Sequence, residues 1–118
     1  MLFRLLKSKI HRATVTETKL DYSGSIAIDK TLMEAAGIVP YEKVLVANLA
    51  NGTRHETYVV AAPANSGQIC VMGAAAHLVN TGDKVIIMAF ADYTPQELEG
   101  HQPRIIFVDD HNKITGKK

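Results

Sequence analysis

The sequence predicts a mainly β protein, a small closed barrel of short strands interrupted by short helices. Three observations carry that expectation. Short segments alternate apolar and polar residues with period two, or run apolar throughout, and are rich in β-branched side chains. Turn signals at Asn51-Gly52, Asn65-Ser66-Gly67 and Gly82-Asp83 separate them. The regular strand–helix alternation of a doubly wound sheet is absent, and many short strands with few helices fit a barrel instead.

The elements follow in order. Met1 to Lys7 resembles a targeting segment only superficially, because Arg4 breaks its apolar stretch; it reads as a first strand. Arg12 to Thr16 alternates cleanly, and Ile26-Ala27-Ile28 is a short apolar strand. Asp29 is a fit N-cap for a helix in which Leu32, Ala35 and Ala36 share a face, Gly37 ends it and Pro40 blocks continuation. Val44 to Leu49 is continuously apolar, as for a strand buried on both faces. Asn51-Gly52 turns the chain, and Arg54 to Ala61 returns. Ile69 to Met72, Val85 to Phe90 and Ile105 to Val108 complete the strands. A second helix starts after Gly73 and covers Ala74 to Val79, and Pro95 opens a single turn. Lys113 to Lys118 reads as a frayed polar tail.

Composition narrows the function. With 118 residues, 1–118 is one domain with a real core. Thirteen basic against twelve acidic residues leave a net charge of +1, no footprint for nucleic acid. No window approaches a membrane span. The single Cys70, within Ile69-Cys70-Val71-Met72, reads as a buried structural thiol and fits a reducing compartment, so the cytoplasm is expected.

Several chemistries lack their residues. His11, His55, His77, His101 and His111 show no metal-ligand spacing, so no metal site is expected. There is no Gly-rich phosphate loop and no nucleophile elbow, and Asp109-Asp110 reads as a solvated turn. What remains is Asp21-Tyr22-Ser23-Gly24-Ser25-Ile26-Ala27-Ile28-Asp29, in which a tight Gly-Ser turn feeds a fixed strand. A Gly-Ser pair in isolation is an ordinary loop; its context gives it weight.

Taken with Lys9 to Thr16, Asn51-Gly52-Thr53-Arg54, Thr57-Tyr58, Gly73-Ala74-Ala75-Ala76-His77, Gly82 to Ile87 and Pro103-Arg104-Ile105, that segment resembles the pyruvoyl-dependent aspartate 1-decarboxylase family. The order and spacing of the pieces, over nearly the whole chain, make the resemblance specific. It implies a six-stranded double-psi β-barrel and a homotetramer with sites between subunits. It implies L-aspartate as substrate and β-alanine made for pantothenate synthesis. It also implies self-cleavage between Gly24 and Ser25 into chains 1–24 and 25–118, with Ser25 becoming a covalent pyruvoyl cofactor.

The residue chemistry suits those roles. The Ser25 hydroxyl can attack the Gly24 carbonyl, and Gly24 admits the unusual backbone this requires. The resulting ketone forms a Schiff base with the substrate amine. The resemblance assigns the oxyanion donor near Thr57 and the proton donor to Tyr58. Arg54 offers a planar fork to a carboxylate and Lys9 a second cation. Strand alternation sets Arg54 and Tyr58 on one face, about 13 Å apart along the chain, and Thr57 on the other. Gly73, Ala74 and Ala75 open a helix whose N–H groups can receive a carboxylate. One position departs from the family pattern Asn-Gly-Ala-Ala-Ala: Met72 stands first and cannot supply an amide. Without the resemblance two other readings stand, a β-barrel binding module and a dimeric β-type DNA-binding regulator.

Overall fold

The first strand is far longer than its alternating stretch. In the computed structural model, which describes residues 1–118, β1 spans Phe3–Thr14. It is followed by β2 Glu17–Lys19, β3 Ser25–Asp29, helix α1 Lys30–Ala36, β4 Lys43–Asn48, β5 Arg54–Ala62 and β6 Ile69–Met72. A 3-10 turn over Gly73–Leu78, β7 Lys84–Tyr93, α2 Pro95–Leu98, β8 Arg104–Val108 and β9 Ile114–Lys117 complete the chain. The fold is mainly β, as expected.

Local chemistry explains the helical pieces. The Asp29 side chain caps α1 through the Thr31 N–H at 2.8 Å, and Gly37 closes it at φ 69°. Leu32, Met33 and Ala36 are buried, and Ala35 packs at the core's edge. Thr94 and Glu97 form a capping box around Pro95. The segment after Met72 is a 3-10 turn rather than an α-helix. It begins at Gly73 itself, whose φ of 81° is left-handed, and no side chain caps it.

The strands form one sheet in the order β2-β6-β3-β5-β4-β7-β1-β8-β9. β3 lies parallel to β5 and antiparallel to β6, and β4 lies between β5 and β7. Ile10, Ile87, Val46 and His55 make one inward row across β1, β7, β4 and β5. Lys9, Met88, Leu45 and Glu56 make the adjacent outward row. A single cluster of 19 buried residues draws from β1, β3, β4, β5, β6, β7, β8 and α1, so the sheet curls round one core.

The ladders bear on the sequence reading at two places. β2 and β9 are the two ends of the sheet and no ladder joins them, so the pairing does not display a closed six-stranded barrel. Period-two patterning identifies strands but not their partners, and β1 takes a second neighbour, β8, on the side away from β7. The tail is also no frayed end. Ile114–Lys117 pairs with β8, and the turn before it is clasped from inside. Buried Asn112 accepts from the Thr14 N–H at 2.7 Å and donates to the carbonyls of Thr14 at 2.8 Å and Gly67 at 2.7 Å.

Candidate functional site

The backbone leaves ordinary conformational space at the start of β3. Gly24 has φ 112° and Ser25 φ 108°. Glycine tolerates such a value, whereas a serine held there is strained, being beyond even the left-handed helical well. Ser25 is 3% exposed, and all five residues of β3 are buried. Its antiparallel partner is Met72, and the next residue, Gly73, is pressed against the turn. A Cβ on Gly73 would lie 2.7 Å from the Gly24 Cα, 2.8 Å from its N and 3.2 Å from the Tyr22 carbonyl oxygen. Gly73 is therefore required twice, for its φ and for that approach.

The other flank of β3 is β5. Ile26 pairs with Val59, and one step back along that parallel register sets Ser25 beside Tyr58. Exposure alternates along β5: Arg54, Glu56 and Tyr58 face outward, while His55, Thr57 and Val59 are more buried. Arg54 and Tyr58 thus share a face and Thr57 takes the other. Glu56 pairs with Lys43 at 2.5 Å. Arg54 and Lys9 make no ion pair, so both cations remain available to a carboxylate. Lys9 lies in the outward row of Glu56, three strands away, about 14 Å at ~4.8 Å per strand.

One chain therefore gathers Gly24, Ser25, Met72, Gly73 and Tyr58 at one end of β3, with Ala74 and Ala75 following Gly73. It does not bring Lys9 to that place. A surface cavity of ≈ 430 Å³ lies on the outward face among Arg4, Lys43, Leu45, Glu56, Phe90 and Asp92. Ser25, Tyr58 and Gly73 are not among its lining residues, so the strained turn lies apart from this cavity. Met72, at 6% exposure, packs with Ala27, Ala62 and Cys70, so its thioether serves an apolar cluster beside Ser25.

Burial governs the nearby ionisable groups. Cys70 is buried, as expected, and desolvation pushes its thiol up, with Glu17 adding to the effect. His55 is held below its ordinary value by desolvation, and its Nε2 has no hydrogen-bond partner. His11 is lowered first by desolvation and then by Lys9 and Arg12; its Nδ1 is likewise unpartnered and its ring meets Phe107 edge-on.

Sequence reading missed two residues. Asp29 does more than cap α1, since it also accepts from the N–H groups of Asn65 and Gly67, both at 2.9 Å. Tyr41 packs its ring against Tyr58. The signal for it was present in Val39-Pro40-Tyr41-Glu42, where Pro40 marks a turn and not only a helix stop.

The chain is similar to known proteins over nearly its whole length. The family model described as aspartate decarboxylase matches residues 1–115. A protein of Caldicellulosiruptor saccharolyticus named aspartate 1-decarboxylase is 61% identical over 115 residues, 98% of this chain and 90% of that protein. Proteins of the same name from Lactiplantibacillus plantarum and Campylobacter jejuni are 55% and 53% identical, each over 98% of this chain and over 88% and 90% of their own lengths.

Proposed function

The chain belongs to the aspartate decarboxylase family, which makes it a carboxy-lyase, and from that premise we propose how it works. It converts L-aspartate to β-alanine and CO2, for pantothenate synthesis in the cytoplasm, with a pyruvoyl group made from its own Ser25. The observation that carries the reading is the strained Gly24–Ser25 turn, buried at its serine and braced by Gly73.

Self-cleavage starts as the Ser25 hydroxyl attacks the Gly24 carbonyl carbon. The amide becomes an ester, and the strain at the Ser25 φ lowers the cost of leaving the peptide. β-Elimination leaves a carboxylate on Gly24 and dehydroalanine at residue 25, and water hydrolyses its imine tautomer to ammonia and the pyruvoyl group. Thr57 is proposed as the donor to the oxyanion. The residues present fit the product. β3 holds residue 25 through ladders to β5 and β6, and the first 24 residues stay bound through β1 and β2.

The pyruvoyl group supplies an electron sink beside the substrate α-carbon. The chain's side chains do the rest. Arg54 receives one substrate carboxylate in a bidentate contact and Lys9 adds positive charge. The N–H groups of Gly73, Ala74 and Ala75 open toward the second carboxylate, and their small side chains permit close approach. Tyr58 delivers the proton to the α-carbon. Because Lys9 is strands away from Tyr58, the site is completed between subunits of a homotetramer.

The double-psi barrel belongs to the same reading. β2 continues β1 after two residues. The Val15 N–H donates to the Asp83 carbonyl and the Thr16 N–H to that of Ile69, so one strand passes from β7 to β6. On this reading six strands go round the core, with β8–β9 beyond β1. No helix is long and apolar enough to cross a membrane.

The test is an intact mass spectrum of the denatured protein. Chains of 24 and 94 residues are expected, from 118 − 24 = 94, the larger with a pyruvoyl start. Ser25→Ala should remain one chain and form no β-alanine. An active, uncleaved Ser25→Ala protein would end the proposal.

A further inference from the structure

Tyr41 occupies a position that its backbone reserves for glycine or asparagine. Val39, Pro40, Tyr41 and Glu42 form a turn closed by the Glu42 N–H on the Val39 carbonyl at 3.2 Å. Proline stands second, and the third residue has φ 70°. That is the pattern of a type II turn, whose third position favours Gly because a side chain there is strained. A bulky ring at positive φ is an outlier on steric grounds alone.

The surroundings leave the turn no freedom to relax. The Tyr41 N–H donates to the Val59 carbonyl at 2.7 Å, and the Val59 N–H donates back to Glu42 at 3.1 Å. The Glu42 carboxylate accepts from the Val39 N–H at 3.1 Å and from Lys7 Nζ at 2.6 Å. Lys7 also donates to the Gly37 carbonyl at 2.8 Å. The turn is thus bolted to β5 at the residue after Tyr58.

Burial does not account for the ring. Tyr41 is 76% exposed, so it contributes little to the core. Its aromatic neighbour is Tyr58, 6.2 Å between centroids and tilted by 31°. Tyr58 is itself 38% exposed, on the outward face of β5. Aromatic pairs in this range hold one another in a preferred orientation.

We propose that Tyr41 is a positioning residue for the reaction, a ring mounted on a strained turn to fix the Tyr58 phenol beside residue 25. The inference rests on the proposed role of Tyr58 as proton donor. Strain at an exposed residue whose side chain serves neither core nor hydrogen bonding is the mark of a local rule broken for function.

The experiment compares Tyr41→Gly, Tyr41→Phe and Tyr58→Phe in the processed full-length protein, with turnover counted per pyruvoyl group. Tyr41→Gly relieves the backbone, so its thermal midpoint should hold or rise while kcat falls about three- to tenfold, as for a misplaced catalytic group, with KM little changed. Tyr41→Phe restores most of that loss, because the stacking face survives. A second readout needs no turnover. In the uncleavable Ser25→Ala background, the near-ultraviolet circular dichroism of the coupled rings should shrink in Tyr41→Gly and persist in Tyr41→Phe. An unaltered kcat in Tyr41→Gly, or an equal loss in Tyr41→Phe, overturns the proposal. Normal turnover in Tyr58→Phe overturns the proton-donor reading and this proposal with it, and the dichroism then reports only a stacked pair.

Discussion

The two ends of β3, Ser25 and Asp29, are physically opposite. At its start, Gly24 and Ser25 hold φ values of 112° and 108° with Gly73 wedged beneath them. At its end, Asp29 is buried and its carboxylate satisfies three backbone N–H groups, those of Thr31, Asn65 and Gly67. One end stores strain and the other saturates its hydrogen bonds. A strained turn survives here because β3 is buried throughout and anchored where bonding is complete, so residue 25 cannot slide to relieve itself.

The comparison can be broken at either end. The largest expected effect is at the anchor. Asp29→Ala leaves three N–H groups without their acceptor, and should destabilise the chain by about 3–5 kcal/mol in thermal or denaturant unfolding. The scissile turn should relax as well, so self-cleavage, followed by mass over time, should slow. An Asp29→Ala protein that cleaves at the normal rate would show that the strain does not depend on this anchor.

A smaller effect is expected at the brace. Gly73→Ala puts a Cβ 2.7 Å from the Gly24 Cα, against backbone that must move. The uncleaved fraction should persist, with processing slowed by about tenfold, equivalent to about 1.4 kcal/mol on the barrier. Stability should change by about 1–2 kcal/mol, the ordinary cost of a left-handed alanine. Cleavage at the normal rate in Gly73→Ala would make the close contact incidental.

The smallest effect sharpens the contrast from outside β3. His55 faces inward on β5 in the row of Ile10, Ile87 and Val46, with Nε2 unpartnered. Burial lowers its folded pKa, so between that value and about 6.5 the unfolded chain binds more protons than the folded one. Its contribution to stability is therefore complete above about pH 6.5 and is lost as pH falls through the folded value. His55→Phe should flatten part of the acid fall in thermal midpoint, by about 2 °C, and His11, shifted in the same direction, should retain the remainder. An unchanged pH profile in His55→Phe would mean the ring is reached by water.

Much of the fold was legible because its signals are local. The cap at Asp29, the left-handed Gly37 and the turn at Asn51-Gly52 depend on neighbours within a few residues. Ile69 to Met72 was read with its bounds intact, and β5 with an error of one residue. β1 was read short because bulges at Lys7 and at His11-Arg12, where Arg12 takes φ 65°, scramble its period. β9 was lost because Lys113 to Lys118 is polar; what orders it is Asn112, buried against Thr14 and Gly67 from distant parts of the chain. The 3-10 turn at Gly73 was taken for an α-helix because its alanines favour both.

At the site, the division follows the same line. Composition and pattern by themselves determined a mainly β chain of near-neutral net charge, carrying a Gly-Ser turn ahead of an apolar strand. Order and spacing over the whole chain then determined the family. What no local pattern contains is proximity between residues distant in sequence. Only the tertiary structure decided that Gly73 lies against Gly24, that Met72 pairs with Ser25, that Tyr41 meets Tyr58, and that Lys9 lies strands away from them. Those relations come from ladder register and close packing, which arise when distant segments bury one shared core, and neither is written in any single stretch of the chain.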